Sequence, residues 1–348
     1  MQEKQLTITE WLTVAKEQIK KKNLAGAHQI YSGVLENVPD HNTARLGMLS
    51  VSDAVECDYY PLIETSSLER ILVNIQNQNF EDCHPELTKL AAMHPQSALL
   101  ASFLGFIARS TGHVENAIFH FEKAYELNPN EENTKNFLGL LIEKKDFDFA
   151  YAVCDSFLKH HPDSPEILLI MSIIQMQIRD YSLSEKTIKR ALSLNAQSAH
   201  LWEQYGILKS KENSFQDAIP LFEKGLSLGL KTASLFQNLA VAHSKTGNQK
   251  NALTCFEKAL QLDGSNPQIR HSYSLALLAD EQYGLGWEQF EWRLTARDNV
   301  RFRHPCETKT WDGSETLKGK TMLVYYEQGF GDTIQFSRYI PELEKLGA

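Results

Sequence analysis

The chain has 348 residues, and its 35 lysines and arginines against 44 aspartates and glutamates give a formal net charge of −9. A hydrophobic fraction of 42% with 23% charged residues is typical of a folded globular protein and excludes wholesale disorder. The acidic balance argues against nucleic-acid binding, because recognition of phosphates needs clustered lysine and arginine side chains.

The cysteines and the N-terminus bear on the cellular compartment. No disulfide framework, zinc site or other metal site is predicted, because the five cysteines are odd in number and far apart, at Cys57, Cys83, Cys154, Cys255 and Cys306. The charged N-terminus has no apolar stretch behind it, so no signal peptide is predicted. The densest apolar run, Ile167 to Ile174, is too short to span a bilayer. We therefore expect a cytoplasmic protein without membrane insertion.

A repeat of about 34 residues runs through most of the chain. Its first mark is a small residue that recurs at Cys83, Ala117, Ala150, Ser184, Ala218, Ala252 and Gly286. A second series follows four residues later, at Leu87, Phe121, Cys154, Ile188, Phe222, Phe256 and Phe290. This spacing places both series on one face of a helix. A second helix is predicted upstream, with marks such as Leu104-Gly105 and Leu138-Gly139.

The repeated residues resemble the tetratricopeptide repeat (TPR) family, whose pattern is W-x-x-L-G, then A-x-x-x-F, then A and P. The best copy contains Trp202, Tyr205, Gly206, Ala218, Phe222 and Gly225. The resemblance implies an all-α fold, a superhelical solenoid of paired helices with about eight repeats over residues 1–294. The first copy, around Trp11, is out of phase with the others, so residues 42–66 are predicted to hold a degenerate repeat or an insertion.

A solenoid of this family has a concave groove that is lined by the first helix of each pair, and it binds peptides or another domain there. The resemblance therefore implies a protein or peptide partner. The candidate groove residues are Ser102, Phe106, Asn136, Leu140, Ile173, Glu203, Ile207, Gln237, Asn238, Val241 and His271. The alternative is that half of these side chains only support the stack. Some relatives clamp a peptide backbone with a ladder of asparagines, but only Asn238 stands at such a position here.

The last repeat differs from the others, because Trp287, Trp292 and Arg293 stand near its closing positions. They either cap the terminal face of the solenoid or form the docking surface for a following domain. Residues 295–320 are predicted to be a linker.

Residues 321–348 have a different pattern. The segment 321–326 is β-branched and aromatic like a buried strand, a glycine-containing turn follows, and a helix is predicted over 333–343. Strand, glycine turn and helix form the first β-α unit of a Rossmann-like domain, with ligand expected at the carboxyl end of the strand.

The stretch from Gly286 onward resembles bacterial TPR proteins that are fused to a glycosyltransferase-like domain, similar to heptosyltransferases and O-linked N-acetylglucosamine transferases. The resemblance implies that Asp332 is a catalytic base and that Gly329 and Gly331 form the loop that approaches the substrate. The alternative for Asp332 is to cap a helix that opens at Thr333.

Two functions remain open on this basis. In the first, the chain is a scaffold that binds partners through its groove. It is catalytically inactive and has no cofactor, because the Rossmann-like domain is truncated at residue 348. In the second, it is the N-terminal part of a glycosyltransferase that uses a nucleotide sugar, and the repeats select the acceptor. Whether the reading frame continues past residue 348 discriminates between them.

Overall fold

The computed structural model describes residues 7–38, 42–56, 63–294, 311, 313–324 and 329–347. The chain divides into two compact units, Met1–Glu212 and Asn213–Ala348. Both units are helical, and no β-strand occurs in the ranges just given.

The first unit contains twelve α-helices in its described residues. They are α1 (Ile8–Lys20), α2 (Leu24–Asn37), α3 (Asn42–Glu56), α4 (Thr65–Gln76), α5 (Phe80–Met93), α6 (Ala98–Ser110), α7 (Val114–Leu127), α8 (Glu131–Glu143), α9 (Phe147–His160), α10 (Pro165–Gln177), α11 (Tyr181–Leu194) and α12 (Ala199–Lys211). The second unit contains α13 (Phe215–Ser227), α14 (Ala233–Lys245), α15 (Gln249–Leu262), α16 (Pro267–Ala279), α17 (Tyr283–Phe290), a 3₁₀ turn (Glu291–Leu294), α18 (Phe330–Ser337) and α19 (Ile340–Lys345).

The small and bulky series of the repeat form the interior, as the helical spacing predicts. In α7, Ala117 is fully buried and Phe121 is 2% exposed. Ser184, at the same repeat position in α11, is also buried, and its hydroxyl donates to the backbone carbonyl of Ser172 at 2.9 Å. A small residue at this position lets the neighbouring helix approach closely, so the prediction of paired helices with a shared core is confirmed.

The break in phase coincides with one additional helix, α3, between the pair α1–α2 and the pair α4–α5. Its buried Asp53 is held by α6, since the Ser97 hydroxyl donates to the Asp53 carboxylate at 2.7 Å and the Leu99 N–H donates at 3.1 Å. A carboxylate at a helix N-terminus accepts N–H groups that have no partner within the helix. Asp53 therefore fixes α3 against the start of α6.

The predicted β-α unit is not formed, and this corrects the Rossmann-like part of the fold prediction. Residues 321–324 have no regular secondary structure, and 325 and 326 lie outside the described residues. A strand depends on a neighbouring strand for its hydrogen bonds, and the described part of the chain provides none. The side chains of Leu323 and Val324 are accordingly exposed. The following helix is also split, because α18 ends at Ser337 and α19 begins at Ile340.

An ion-pair network joins α11 to α12 near the end of the first unit. The Glu185 carboxylate accepts from the Lys189 ammonium at 2.9 Å, the Tyr205 hydroxyl at 2.8 Å and the Lys209 ammonium at 3.0 Å. The hydrogen bond from Lys189, followed by those from Tyr205 and Lys209, lowers the pKa of Glu185 to about 2. The side chain of Glu185 is only 25% exposed, so water screens these bonds only in part.

This network predicts an acid-sensitive contribution to stability. Because the pKa of Glu185 is lower in the folded chain than its ordinary value of 4.5, the contribution is complete above about pH 4.5 and is lost as the pH falls towards 2. After allowance for solvent screening, we expect Glu185→Gln to lower the free energy of unfolding at pH 7 by about 1–2 kcal/mol and to have less effect at pH 3. Urea denaturation at both pH values measures this difference. The control is Glu115→Gln, whose carboxylate is 79% exposed beside Lys144; an equal effect of both variants at both pH values would contradict the prediction.

Candidate functional site

A cavity of about 480 Å³ lies in the first unit and is the candidate site. It is lined by residues of α3, α4, α6, α7, α8 and the turn before α8: Ser52, Asp53, Leu72, Ile75, Leu99, Ser102, Phe103, Phe106, Phe121, Asn128, Asn130, Glu132, Asn133 and Asn136. Its volume is in the range of pockets that hold a small molecule or a few peptide side chains.

The apolar part of the cavity combines phenylalanine rings with the aliphatic side chains of Leu72, Ile75 and Leu99. Residues 99, 102, 103 and 106 share one face of α6 because they are three or four positions apart. The Phe121 ring is 2% exposed and closes the interior, whereas the Phe106 ring is 45% exposed at the opening. Phe106 is therefore the aromatic side chain that a bound molecule meets first.

The polar part is organised around Asn133. The Ser102 hydroxyl donates to Asn133 Oδ1 at 2.7 Å, and Asn133 Nδ2 donates to the backbone carbonyls of Asn128 at 2.8 Å and Ala124 at 3.3 Å. The side-chain oxygen of Asn130 caps α8 by accepting from the Asn133 N–H at 2.9 Å. Asn133 is 5% exposed, so its hydrogen-bonding groups serve the fold and hold Ser102 in place.

Asn136 lies one helical turn after Asn133 on α8 and is in a different situation. Its side chain is half-buried at the cavity, and no hydrogen bond within the described residues uses its amide. A free amide offers both a donor and an acceptor, which is what a peptide backbone requires.

The charged groups of the cavity are carboxylates. Asp53 is engaged by Ser97 and Leu99, and Glu132 forms an ion pair with Lys135 at 3.2 Å. Among the described lining residues there is no lysine or arginine. The cavity is therefore suited to a neutral or basic molecule.

Three of the predicted groove residues, Ser102, Phe106 and Asn136, come together in this cavity. Leu140 does not, and this corrects its assignment as a groove residue. Its side chain is fully buried in the core with Leu141 and Ile174, so it has no surface to offer a partner.

The other predicted groove residues of the first unit, Ile173, Glu203 and Ile207, are half-buried and lie outside the cavity. Burial raises the pKa of Glu203, while His200 at 3.7 Å has the opposite effect.

In the second unit, Gln237, Asn238 and Val241 are half-buried on α14, and Gln237 Nε2 donates to the Ser272 hydroxyl at 3.3 Å. His271 on α16 is half-buried beside the Phe290 ring, with 5.6 Å between the ring centroids.

The predicted docking residues near the end of the repeats have different environments. The Arg270 guanidinium stacks over the half-buried Trp292 ring at 4.5 Å, and Arg293 stacks over Phe290 at 4.5 Å. Trp287 is 56% exposed on α17. Trp292 and Arg293 thus contribute to packing within the second unit, and Trp287 is the accessible member of the three.

The predicted glycosyltransferase residues lie at the start of α18. Gly329 is the N-cap, and Gly331 and Asp332 belong to the first turn. Asp332 is inside the helix and does not cap it, so the capping alternative is wrong. All three residues are exposed to solvent, and none of them lines the candidate cavity.

Sequence reasoning missed Asp53, Asn128, Asn130 and Asn133. The asparagine-rich turn between α7 and α8 is visible in the sequence, but it is equally typical of helix caps. The contribution of Asp53 could not be found, because it depends on a contact between α3 and α6, which are more than forty residues apart.

Two segments of the chain match family models that are described as tetratricopeptide repeat, over residues 233–266 and 102–131. The chain carries tetratricopeptide repeats. The second matched segment covers α7 and most of α6, so the candidate cavity is built on a TPR unit. No described helix of this TPR chain has the length and apolar composition that crossing a membrane requires.

Among curated proteins, FlbA of Caulobacter vibrioides is 24% identical to this chain over 332 residues. The match covers 92% of this chain and 54% of FlbA, so the chain spans about half the length of that relative.

Two solved structures have a similar fold. A chain in the crystal structure of the APC/C heterotetramer Cut9–Hcn1 gives a TM-score of 0.59 at 16% identity and covers 83% of this chain and 53% of that one. A TPR protein from Parabacteroides merdae gives a TM-score of 0.51 at 14% identity and covers 84% and 94%. At these identities the similarity concerns the fold alone.

Proposed function

We propose that this chain is a TPR scaffold that binds a peptide segment of a protein partner in the cavity between Phe106 and Asn136. The observation that carries the proposal is the convergence there of an exposed aromatic ring and an amide that no described residue engages. An aromatic surface anchors an apolar side chain, and an amide can bond to the peptide backbone beside it.

The charges of the site define the kind of segment. Because the acidic side chains of the described lining are Glu132 and Asp53, a neutral or basic segment is favoured over an acidic one. The proposed role is binding without catalysis, and it uses no cofactor. The net charge of −9 supports a protein partner over a nucleic acid, and the proposed compartment is the cytoplasm.

The test is selection of peptides from a random phage-displayed library on the purified chain, followed by affinity measurements with the selected peptides. We expect Phe106→Ala to weaken their binding about tenfold or more, because a central aromatic anchor contributes the most to a small interface. Asn136→Ala is expected to weaken binding about threefold to tenfold through loss of backbone hydrogen bonds.

The matched control for this test is Phe119→Ala on α7, since Phe119 is 62% exposed and does not line the cavity. Thermal denaturation of each variant checks that the fold is intact. Peptides whose affinity is the same for the wild type, Phe106→Ala and Asn136→Ala would show that the site lies elsewhere.

As the alternative function, we propose that the chain is part of a TPR-containing glycosyltransferase that uses a nucleotide sugar. The support is the residue pattern from Gly286 to Tyr339, in which α18 begins immediately after Gly329. In that case Asp332 acts as the base towards a sugar hydroxyl, and the repeats select the acceptor. Sugar transfer from a nucleotide-sugar donor by the full-length protein separates this function from binding alone.

A further inference from the structure

A second cavity of about 340 Å³ lies elsewhere in the first unit, between α9, α10 and α11. Its lining residues are Tyr151, Asp155, Leu158, Lys159, Leu168, Met171, Gln175, Leu183, Lys186, Thr187 and Arg190. It shares no residue with the proposed peptide site. On each helix the lining residues share one face, because they recur about once per turn, as at 168, 171 and 175 of α10.

The interior of this cavity is apolar. Leu168 and Met171 on α10 are 2% and 9% exposed, and Leu158, Tyr151 and Leu183 are half-buried beside them. Methionine is adaptable in shape and makes favourable contacts with aromatic rings through its sulfur. The interior is thus suited to an aromatic side chain.

One polar group in this apolar interior is unsatisfied. Gln175 is 1% exposed, and its side-chain oxygen Oε1 has no hydrogen-bond partner among the described residues. A buried acceptor without a donor costs free energy, and most such acceptors in folded proteins are satisfied. Gln175 lines the cavity but its Oε1 is enclosed, so a bound group with an N–H or O–H can provide the missing donor once the Gln175 amide turns towards the cavity.

The opening of the cavity is basic, although the chain as a whole is acidic. Three cationic side chains line it, and Asp155 is the one carboxylate of the described lining. Lys159 is paired with Asp155 at 2.7 Å, and Arg190 donates to the Pro162 carbonyl at 2.6 Å. Lys186 has no ion-pair partner among the described residues, so its charge is available to a ligand.

We propose that this cavity binds an acidic peptide segment through one tyrosine anchor. The tyrosine ring packs on Met171, the Gln175 amide turns towards the cavity, and the tyrosine hydroxyl donates to Gln175 Oε1. Carboxylates that flank the tyrosine pair with Lys186 at the opening. The apolar interior selects an aromatic ring, Gln175 selects a hydrogen-bond donor, and Lys186 selects a carboxylate. A segment that combines all three groups is therefore favoured over one that offers only one of them.

The probe for the test is a fluorescein-labelled peptide with one tyrosine and two glutamates on each side, and its binding to the full chain is measured by fluorescence anisotropy. A second peptide carries phenylalanine in place of tyrosine. We expect the tyrosine peptide to bind the wild type about fivefold more tightly than the phenylalanine peptide, because the hydroxyl satisfies Gln175. In Gln175→Leu this preference is expected to disappear.

The charge of the opening is tested separately. Lys186→Glu is expected to weaken binding of the tyrosine peptide about tenfold, because it replaces attraction of the flanking glutamates with repulsion. The matched control is Lys89→Glu, which changes an exposed lysine on α5 outside this cavity and should leave the affinity unchanged.

Protein stability distinguishes a binding role of Gln175 from a purely structural one. Gln175→Leu removes an unsatisfied acceptor, so its Tm is expected to equal or exceed that of the wild type while the preference for tyrosine is lost. Absence of binding to the wild type, equal weakening by Lys186→Glu and Lys89→Glu, or a preference for tyrosine that persists in Gln175→Leu would overturn the proposal. Phe106→Ala should not change binding of this probe, so failure here is separable from failure of the first site.

Discussion

Phe137→Ala is expected to lower the free energy of unfolding of the first unit by about 3–5 kcal/mol, the largest effect predicted for a single substitution in this chain. Phe137 is 1% exposed on α8. Its ring lies 5.8 Å from the Tyr125 ring of α7 and 5.7 Å from the Phe149 ring of α9, measured between centroids. The substitution therefore leaves a cavity where three consecutive helices meet.

Urea denaturation followed by circular dichroism measures this loss. In a repeat protein each helix pair contacts only its neighbours, so a cavity in α8 weakens the interfaces on both sides of it. The control is Phe119→Ala, which removes the same atoms from a side chain that is 62% exposed and should change the free energy of unfolding by less than about 1 kcal/mol. Equal losses for the two variants would show that Phe137 is not part of the core.

The second large effect is expected at Gly105 on α6. A Cβ atom at Gly105 would lie 2.8 Å from Cδ1 of the Phe121 ring, which is too close for two carbon atoms. Because Phe121 is itself 2% exposed and cannot move into solvent, the helices must separate. We expect Gly105→Ala to destabilise the chain by about 1–2 kcal/mol, since overpacking exceeds the gain in helix propensity of alanine.

Gly139 on α8 is the matched control, because it stands 34 residues later at the same position of the repeat. Outside its own helix, the nearest heavy atom to a Cβ there is Arg109 Nη1, at 3.9 Å. Gly139→Ala is therefore expected to stabilise the chain by up to about 1 kcal/mol through helix propensity alone. Melting temperatures of the two variants provide the comparison, and a lower Tm for Gly139→Ala than for Gly105→Ala would contradict both expectations.

These two glycines show which properties the sequence can predict and which depend on packing. Each follows a leucine, as Leu104-Gly105 and Leu138-Gly139, and the repeat pattern treats them as equivalent. The pattern correctly placed both on helices. Only the packing distinguishes them, because a Cβ would clash with the Phe121 ring at one glycine and would make only an ordinary contact with Arg109 Nη1 at the other.

The candidate peptide site shows the same dependence on packing. Phe106 and Leu140 are 34 residues apart and were both expected in the groove, yet Phe106 is 45% exposed and Leu140 is fully buried. The position of a residue on its helix follows from the local sequence spacing. The exposure of its side chain depends on which side chains of neighbouring helices pack over it. Asp53 could not be predicted at the site for the same reason, since its contacts with Ser97 and Leu99 join helices that are distant in sequence.

The sequence by itself determined the helices of the repeats and the residues that face their shared interior. Both follow from the spacing of small and bulky residues within one or two helical turns. Such short-range patterns can be recognised in the sequence without knowledge of the tertiary structure. The tertiary structure decided which of the equivalent positions are closed, which remain accessible, and that the segment 321–324 is not a strand. Those properties depend on contacts between separate elements. The segment 321–324 has the residue pattern of a strand but lacks a neighbouring strand among the described residues, so no strand forms. Leu140 stands at a groove position of the repeat, but other helices cover it, so it is buried.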